Sequence, residues 1–274
     1  MTNLELARHH GLDVLNLIED GRWHRVATLD KPHSTNGAYC IKNGCITVQN
    51  WALDESAVFY KENATAVDYA KNRAVNKQVY EDKLILNKKA AKKAGWILSN
   101  SELAKHDYLI KKGFSDLKGL VHDTKLVIPI RVQGNLVGLQ LIDNLGDKKF
   151  LYGQVCKGAT YVLGQGKLNV LCEGYATGLS AHQALMLAAI PCKVFVCFSA
   201  NNMIEIAKTL KKGLVIADND SSNTGLKAAV KIGWPYWISD KVGYDFNDET
   251  ASKSYFKLSQ ELKKLLLEIE LIAA

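Results

Sequence analysis

Apolar residues in the second half of the chain come in short unbroken runs, each followed by a longer stretch with helical spacing. Residues 168–172, 193–198, 214–218 and 236–239 read as strands, while 177–188, 202–212 and 224–232 read as helices. Short, nearly continuous apolar runs suit strands buried on both faces, and strict alternation of strand and helix implies parallel pairing through right-handed crossovers. The pattern predicts an α/β domain over 167–250, a parallel sheet flanked by helices. A final amphipathic helix is expected in the segment 251–274, from about 254 to 272, with Leu258, Leu262, Leu265, Leu266 and Ile269 on one face.

Upstream the pattern changes twice. Residues 101–166 read as a small α+β subdomain of short strands and glycine turns, with 126–131 and 136–142 flanking Gln133-Gly134-Asn135 as a hairpin. Residues 54–100 read as a basic helical connector without proline, and 1–53 as a small β-rich module rich in Gly, Asn, Thr and single aromatics. No internal repeat or low-complexity tract is visible.

With 274 residues, 47% of them hydrophobic, the chain can bury a substantial core. No apolar run reaches the ~18 residues of a membrane span, and Met1-Thr-Asn-Leu-Glu5 does not read as a signal peptide, so a cytoplasmic protein without membrane contact is expected. Six cysteines without a Cys-x-x-Cys pair read as reduced thiols. His24, His33, Cys40 and Cys45 lack the paired spacing of structural zinc, so the N-terminal module is expected to be zinc-free.

Charge gives the pattern a chemical direction. Three apolar runs lead into carboxylates: Glu173 after 168–172, Asp218 and Asp220 after 214–217, and Asp245 and Asp248 near the end of the sheet. Parallel strands deliver these residues to one sheet edge, where such sheets bind ligands. Carboxylates gathered there repel one another unless cations lie between them, and hard oxygen donors suit Mg²⁺ or Mn²⁺. The net charge of +7 then requires basic residues elsewhere and favours a polyanionic partner. Arg131, Lys148, Lys149 and Lys157 are candidates for a phosphate groove. Lys88 and Lys92, with Lys89 and Lys93, form a helical stripe suited to a nucleic-acid backbone, and Arg22, Trp23 and Arg25, with Tyr39 and Trp51, mix cations and rings suited to unpaired bases.

The ordered set of Glu-Gly, Asp-x-Asp and a further Asp resembles the Toprim fold of bacterial-type primases, topoisomerases and some nucleases. Cys172-Glu-Gly-Tyr-Ala-Thr-Gly178, Phe198-Ser-Ala-Asn-Asn202, Asn223-Thr-Gly-Leu-Lys-Ala-Ala229 and Asp245-Phe-Asn-Asp248 are similar to the Toprim domain of primases carried by phages and conjugative plasmids. His106-Asp-Tyr-Leu-Ile-Lys-Lys-Gly113, Ile128-Pro-Ile-Arg131, Gly138-Leu-Gln-Leu-Ile142 and Lys148-Lys-Phe-Leu151 resemble the subdomain preceding it, and Gly21-Arg-Trp-His-Arg25, Asn36-Gly-Ala-Tyr39 and Asn50-Trp51 resemble the zinc-free N-terminal module. The resemblance implies a nucleotidyltransferase that makes short RNA primers on single-stranded DNA from nucleoside triphosphates. Asp218, Asp220 and Asp245 would be metal ligands, Glu173 a ligand or general base, and Asp248 a further ligand, and there is room for a replicative helicase as partner. The same carboxylates would serve a metal-dependent nuclease using water. A single-stranded-DNA-binding replication accessory protein is the non-catalytic alternative, against which five carboxylates argue, since a pure DNA binder gains nothing from repelling phosphates.

Overall fold

The computed structural model describes residues 2–51, 55–60 and 65–268. The chain divides between Leu84 and Ile85 into two compact units.

In the first unit, α1 (Asn3–His9) opens on a capping box in which the Thr2 hydroxyl accepts the Glu5 N–H while the Glu5 carboxylate accepts the Thr2 N–H. An antiparallel sheet follows, in sequential order: β1 (Leu12–Asp13), β2 (His24–Thr28), β3 (Gly37–Lys42), β4 (Cys45–Asn50) and β5 (Glu55–Tyr60). Alternation along β3 and β4 sends Tyr39, Ile41, Ile46 and Val48 inward, where they meet Ala7, Leu12 and Val14. The helical connector expected from residue 54 is corrected at its start, because β5 extends this sheet and the helix α2 runs over Ala66–Ser99. Ala57 and Phe59 point to the core while Ser56 and Val58 face out, a period of two that frequent Ala and Tyr disguised as helical composition.

The second unit begins within α2, whose Ala90, Ala94 and Ile97 pack on Val127, Leu139 and Leu151. Around them run β6 (Glu102–Ala104), α3 (Asp107–Lys111), β7 (Gly119–His122), β8 (Lys125–Val132), β9 (Asn135–Ile142) and β10 (Lys148–Phe150), an antiparallel sheet in the order β10-β9-β8-β7-β6. Its expected hairpin closes through Gln133 and Gly134 at φ 48° and 84°, the doubly left-handed turn that matches strand twist.

The carboxyl half is the expected parallel sheet. The strands are β11 (Tyr161–Leu163), β12 (Leu168–Cys172), β13 (Cys192–Val196), β14 (Gly213–Ala217) and β15 (Tyr236–Ile238), in the order β11-β13-β12-β14-β15. Only β11, at one edge, is antiparallel. Interleaved are α4 (Tyr175–Leu187), α5 (Ala200–Ala207) and α6 (Thr224–Ile232), followed by α7 (Phe246–Ser252) and α8 (Tyr255–Glu268). Alternate residues serve opposite faces: Val170, Cys172, Leu214 and Ile216 pack with residues of α4 and α8, whereas Leu171, Val215 and Ala217 pack with α5 and α6. The single C-terminal helix expected over 254–272 is preceded by the separate α7, because Lys253 turns extended at φ −119° and ψ 139°. Leu258, Leu262 and Leu266 of α8 are buried, and the expected positions 269–272 lie outside the described residues.

Candidate functional site

After β12 the chain crosses on α4 to one face of the sheet, and after β14 it crosses on α6 to the other. The strands are neighbours, so their carboxyl ends open a crevice where the order of connections reverses, the usual ligand position in open α/β sheets. Glu173 and Asp218 are the first residues beyond these two strands.

Asp218 is held by close backbone packing. A Cβ on Gly225 would lie 2.5 Å from the Asp218 carbonyl oxygen, so only glycine lets the first turn of α6 approach this closely. Among the described residues, Asp218 Oδ1 is buried without a hydrogen-bond partner. Burial, together with the charges of Glu173, Asp245 and Asp220, pushes its carboxyl up to about 7, against an opposing pull from Lys148. The Glu173 carboxyl is also raised, by burial and then by the charge of Asp220, while the Ala200 N–H at the start of α5 partly holds it down. The Glu173 carbonyl accepts the Phe198 N–H at 2.9 Å, which fixes the loop leading into α5.

Asp220 is placed differently. Burial would raise its carboxyl, but the Ser222 hydroxyl and the N–H groups of Thr224, Ser222 and Gly225 outweigh that and hold it below the ordinary value. Between the two aspartates, Asn219 binds the third acidic segment. Its N–H donates to Tyr244 O (3.1 Å), its carbonyl accepts the Gly243 N–H (2.6 Å), and its Nδ2 donates to Ser239 O (2.8 Å). That ladder brings Asp245 close enough for its charge to act on Asp218.

Asp245 caps α7: its Oδ1 accepts the Asp248 N–H (2.8 Å), and Asp248 Oδ2 accepts the Asp245 N–H (3.1 Å). The Thr177 hydroxyl donates to Asp245 Oδ2 (3.2 Å), and Lys112 Nζ lies 3.4 Å from Asp248 Oδ1. Asp248 is thus engaged by the cap and by Lys112, whereas Glu173, Asp218, Asp220 and Asp245 act on one another electrostatically. Among the described residues, no three His, Cys, Asp or Glu side chains already stand in metal-holding geometry.

Of the four cations expected to line a groove, the structure brings Lys148 to the carboxylates. Its Nζ lies 5.9 Å from the centre of the Tyr108 ring. The Tyr108 hydroxyl, pushed up to about 12 by burial and by Asp245, belongs to the same surroundings. Lys149, the next residue on β10, exerts its charge on Asp143 instead. Arg131 donates to Gly134 O (3.0 Å) across its own hairpin, and Lys157 pairs with Glu205 (3.3 Å). Sequence reasoning assigned no role to Tyr108, Lys112, Thr177 or Asn219. The signal available for them was their position inside the primase-like motifs or between the two aspartates.

In the first unit Trp23 is 55% exposed and Trp51 38%, while Tyr39 is core at 3%. The Arg25 guanidinium stands 4.1 Å from the Trp51 ring centre, and Arg22 is exposed beside them in sequence. Lys88 and Lys92 lie exposed on α2.

No family model matches the chain, and no curated protein matches it by sequence. A solved DNA primase domain from Pseudomonas aeruginosa is similar at 15% identity with a TM-score of 0.33, covering 61% of this chain. The chain spans 60% of that domain. At that score the likeness carries no weight; the mixed α/β architecture rests on the sheets and helices themselves.

Proposed function

We propose that the chain is a primase-like nucleotidyltransferase of the Toprim type, joining ribonucleotides on a single-stranded DNA template. The observation that carries this reading is Asp218: a carboxylate at the crevice of a parallel sheet, with one buried oxygen lacking a partner among the described residues, and with burial and then three acidic neighbours raising its pKa. A protein gains nothing from such crowding unless the site takes up positive charge. The donors are all carboxylate oxygens, which fits Mg²⁺ or Mn²⁺.

Asp218 and Asp220 would hold the cation together with substrate phosphates, with Glu173 and Asp245 completing the negative surroundings. Both Asp245 oxygens already accept hydrogen bonds, so its part is chiefly electrostatic. When bound, the cation supplies charge neutralisation at the phosphoryl oxygens and the departing pyrophosphate. Glu173, whose carboxyl is raised above the ordinary value by burial and then by the charge of Asp220, would accept the proton of the attacking 3′-hydroxyl. Lys148, whose charge acts on Asp218, would meet the triphosphate.

The test is template-dependent incorporation of labelled nucleotides with Mg²⁺, comparing the intact chain with Asp218→Asn. Incorporation by the first and not the second is expected. Degradation of labelled DNA without nucleotides, lost in the same variant, would instead assign a nuclease, and neither activity would leave the accessory-protein reading.

A further inference from the structure

The last turns of α2 carry a feature that the carboxylate site does not use. The sequence contains no Asp or Glu between Asp82 and Glu102, yet it holds Lys88, Lys89, Lys92 and Lys93. All four are exposed, and none pairs with an acidic side chain among the described residues. Earlier on the same helix, by contrast, Lys77 has Glu81 one turn on. Like charges four residues apart weaken a helix, so an uncompensated double row is the costlier arrangement unless an anion covers it.

Helical geometry gives this row a direction and an end. Ala90, Ala94 and Ile97 form the buried stripe against Val127 and Leu139. At 100° per residue, Lys88, Lys92 and Trp96 fall on the opposite side. Trp96 lies four residues beyond Lys92 and three beyond Lys93, so its indole closes both lysine rows. It is 61% exposed, and its ring meets His122 edge to face at 5.4 Å. His122 is itself tied to the Asn100 carbonyl at 2.9 Å and paired with Asp123 at 3.4 Å. The indole is therefore braced on one side and open on the rest.

We infer that this face of α2 binds single-stranded nucleic acid, the four lysines taking successive phosphates and Trp96 stacking an unpaired base. A flat ring at the end of a cationic track suits a base that is free to turn outward, which a duplex does not offer. A membrane surface fits less well, since a helix lying in lipid needs a continuous free apolar face, and the apolar residues of these last turns, Ala90, Ala94 and Ile97, are already buried. The choice of a single strand rests on the templated reading proposed above, whereas the binding face is read from α2 alone.

The experiment is fluorescence-anisotropy titration of labelled oligo(dT) over a range of salt, using the full chain. Replacing Lys88, Lys89, Lys92 and Lys93 together by Gln should flatten the dependence of log affinity on log salt by about 0.7 for each phosphate that is no longer neutralised. Trp96→Ala should weaken binding roughly 5- to 150-fold with little change in that slope. Lys257→Gln with Lys263→Gln on α8 removes charge elsewhere on the surface and should leave both readouts near wild type. An unchanged slope in the quadruple variant, or an equal loss from the α8 control, overturns the assignment, as does a tighter lysine-dependent association with anionic vesicles than with oligo(dT). Mn²⁺ affinity and nucleotide incorporation are measured beside it. DNA affinity lost through α2 in a chain that never incorporates nucleotides would sink the primase reading and leave this face standing; intact affinity with full incorporation does the reverse.

Discussion

The two aspartates of the Asp-Asn-Asp turn should respond to pH in opposite directions. The Asp218 carboxyl is raised to about 7 in the fold, so the folded chain holds that proton more tightly than the unfolded one. Its favourable contribution is complete below the ordinary carboxylate pKa and is lost as pH rises through about 7. Without divalent metal, Asp218→Asn should therefore raise the melting temperature at pH 7.5 by roughly 3–8 °C, and hardly at all near pH 4. Asp220 is lowered instead, and its contribution is present above the ordinary value and lost as pH falls. Asp220→Asn disturbs the acceptors of its turn and should cost about 1 kcal/mol at neutral pH. Calorimetry of both variants in EDTA checks the pair, and equal shifts of the same sign would refute the assignment. Glu173, Asp218, Asp220 and Asp245 were legible in sequence because apolar runs fix where strands end, and strand ends fix a shared edge. Which of the four expected cations joins them was not, because Lys148 and Lys149 differ only by one step along a strand, yet their charges act on Asp218 and Asp143 respectively.

Elements hold this edge together through a few close approaches. Gly225 lets α6 sit on the Asp218 backbone, so Gly225→Ala should shift the helix, cost about 1–3 kcal/mol by overpacking, and weaken Mn²⁺ binding along with stability. A melting curve and Mn²⁺ affinity from the same preparation test this, and normal affinity in a destabilised protein would show that the close packing serves only the fold. Asn202 works on the neighbouring loop: its Nδ2 donates to Ala159 O (2.7 Å) and Cys197 O (2.8 Å), and its Oδ1 accepts the Gly158 N–H (2.7 Å). Asn202→Ala leaves three such groups without partners and should cost about 3 kcal/mol or more, read from the denaturant midpoint. Neither interaction follows from periodicity, which places α5 and α6 but does not show which residue touches the next segment. Period-two reading succeeded for the 133–135 hairpin, where Gly134 marks the turn. It missed β5, where no glycine or proline interrupts residues 55–60.

At the scale of the whole molecule, the division between Leu84 and Ile85 separates two independent cores. The first is closed by Ala7, Leu12, Tyr39, Ile41, Ile46 and Val48, all within the N-terminal sheet and α1. The second contains the crevice, and the α2 residues that pack on its sheets, Ala90, Ala94 and Ile97, all follow the division. A chain beginning at Ile85 should consequently fold, bind Mn²⁺ as the full chain does, and keep the rise in melting temperature on Asp218→Asn. Single-stranded DNA binding discriminates more finely. The lysine face of α2 stays with this fragment, so a salt-dependent affinity should remain. Missing from it are the exposed Trp23 and the Arg25–Trp51 stack, and if these meet template bases the fragment should bind roughly 5- to 150-fold more weakly, the worth of one stacking platform. Trp51→Ala in the full chain should then reproduce part of that loss while its melting temperature stays close to wild type, because its ring is not among the residues closing the N-terminal core. Equal DNA affinity in the fragment and the full chain would remove the N-terminal module from template recognition and leave α2 to account for it.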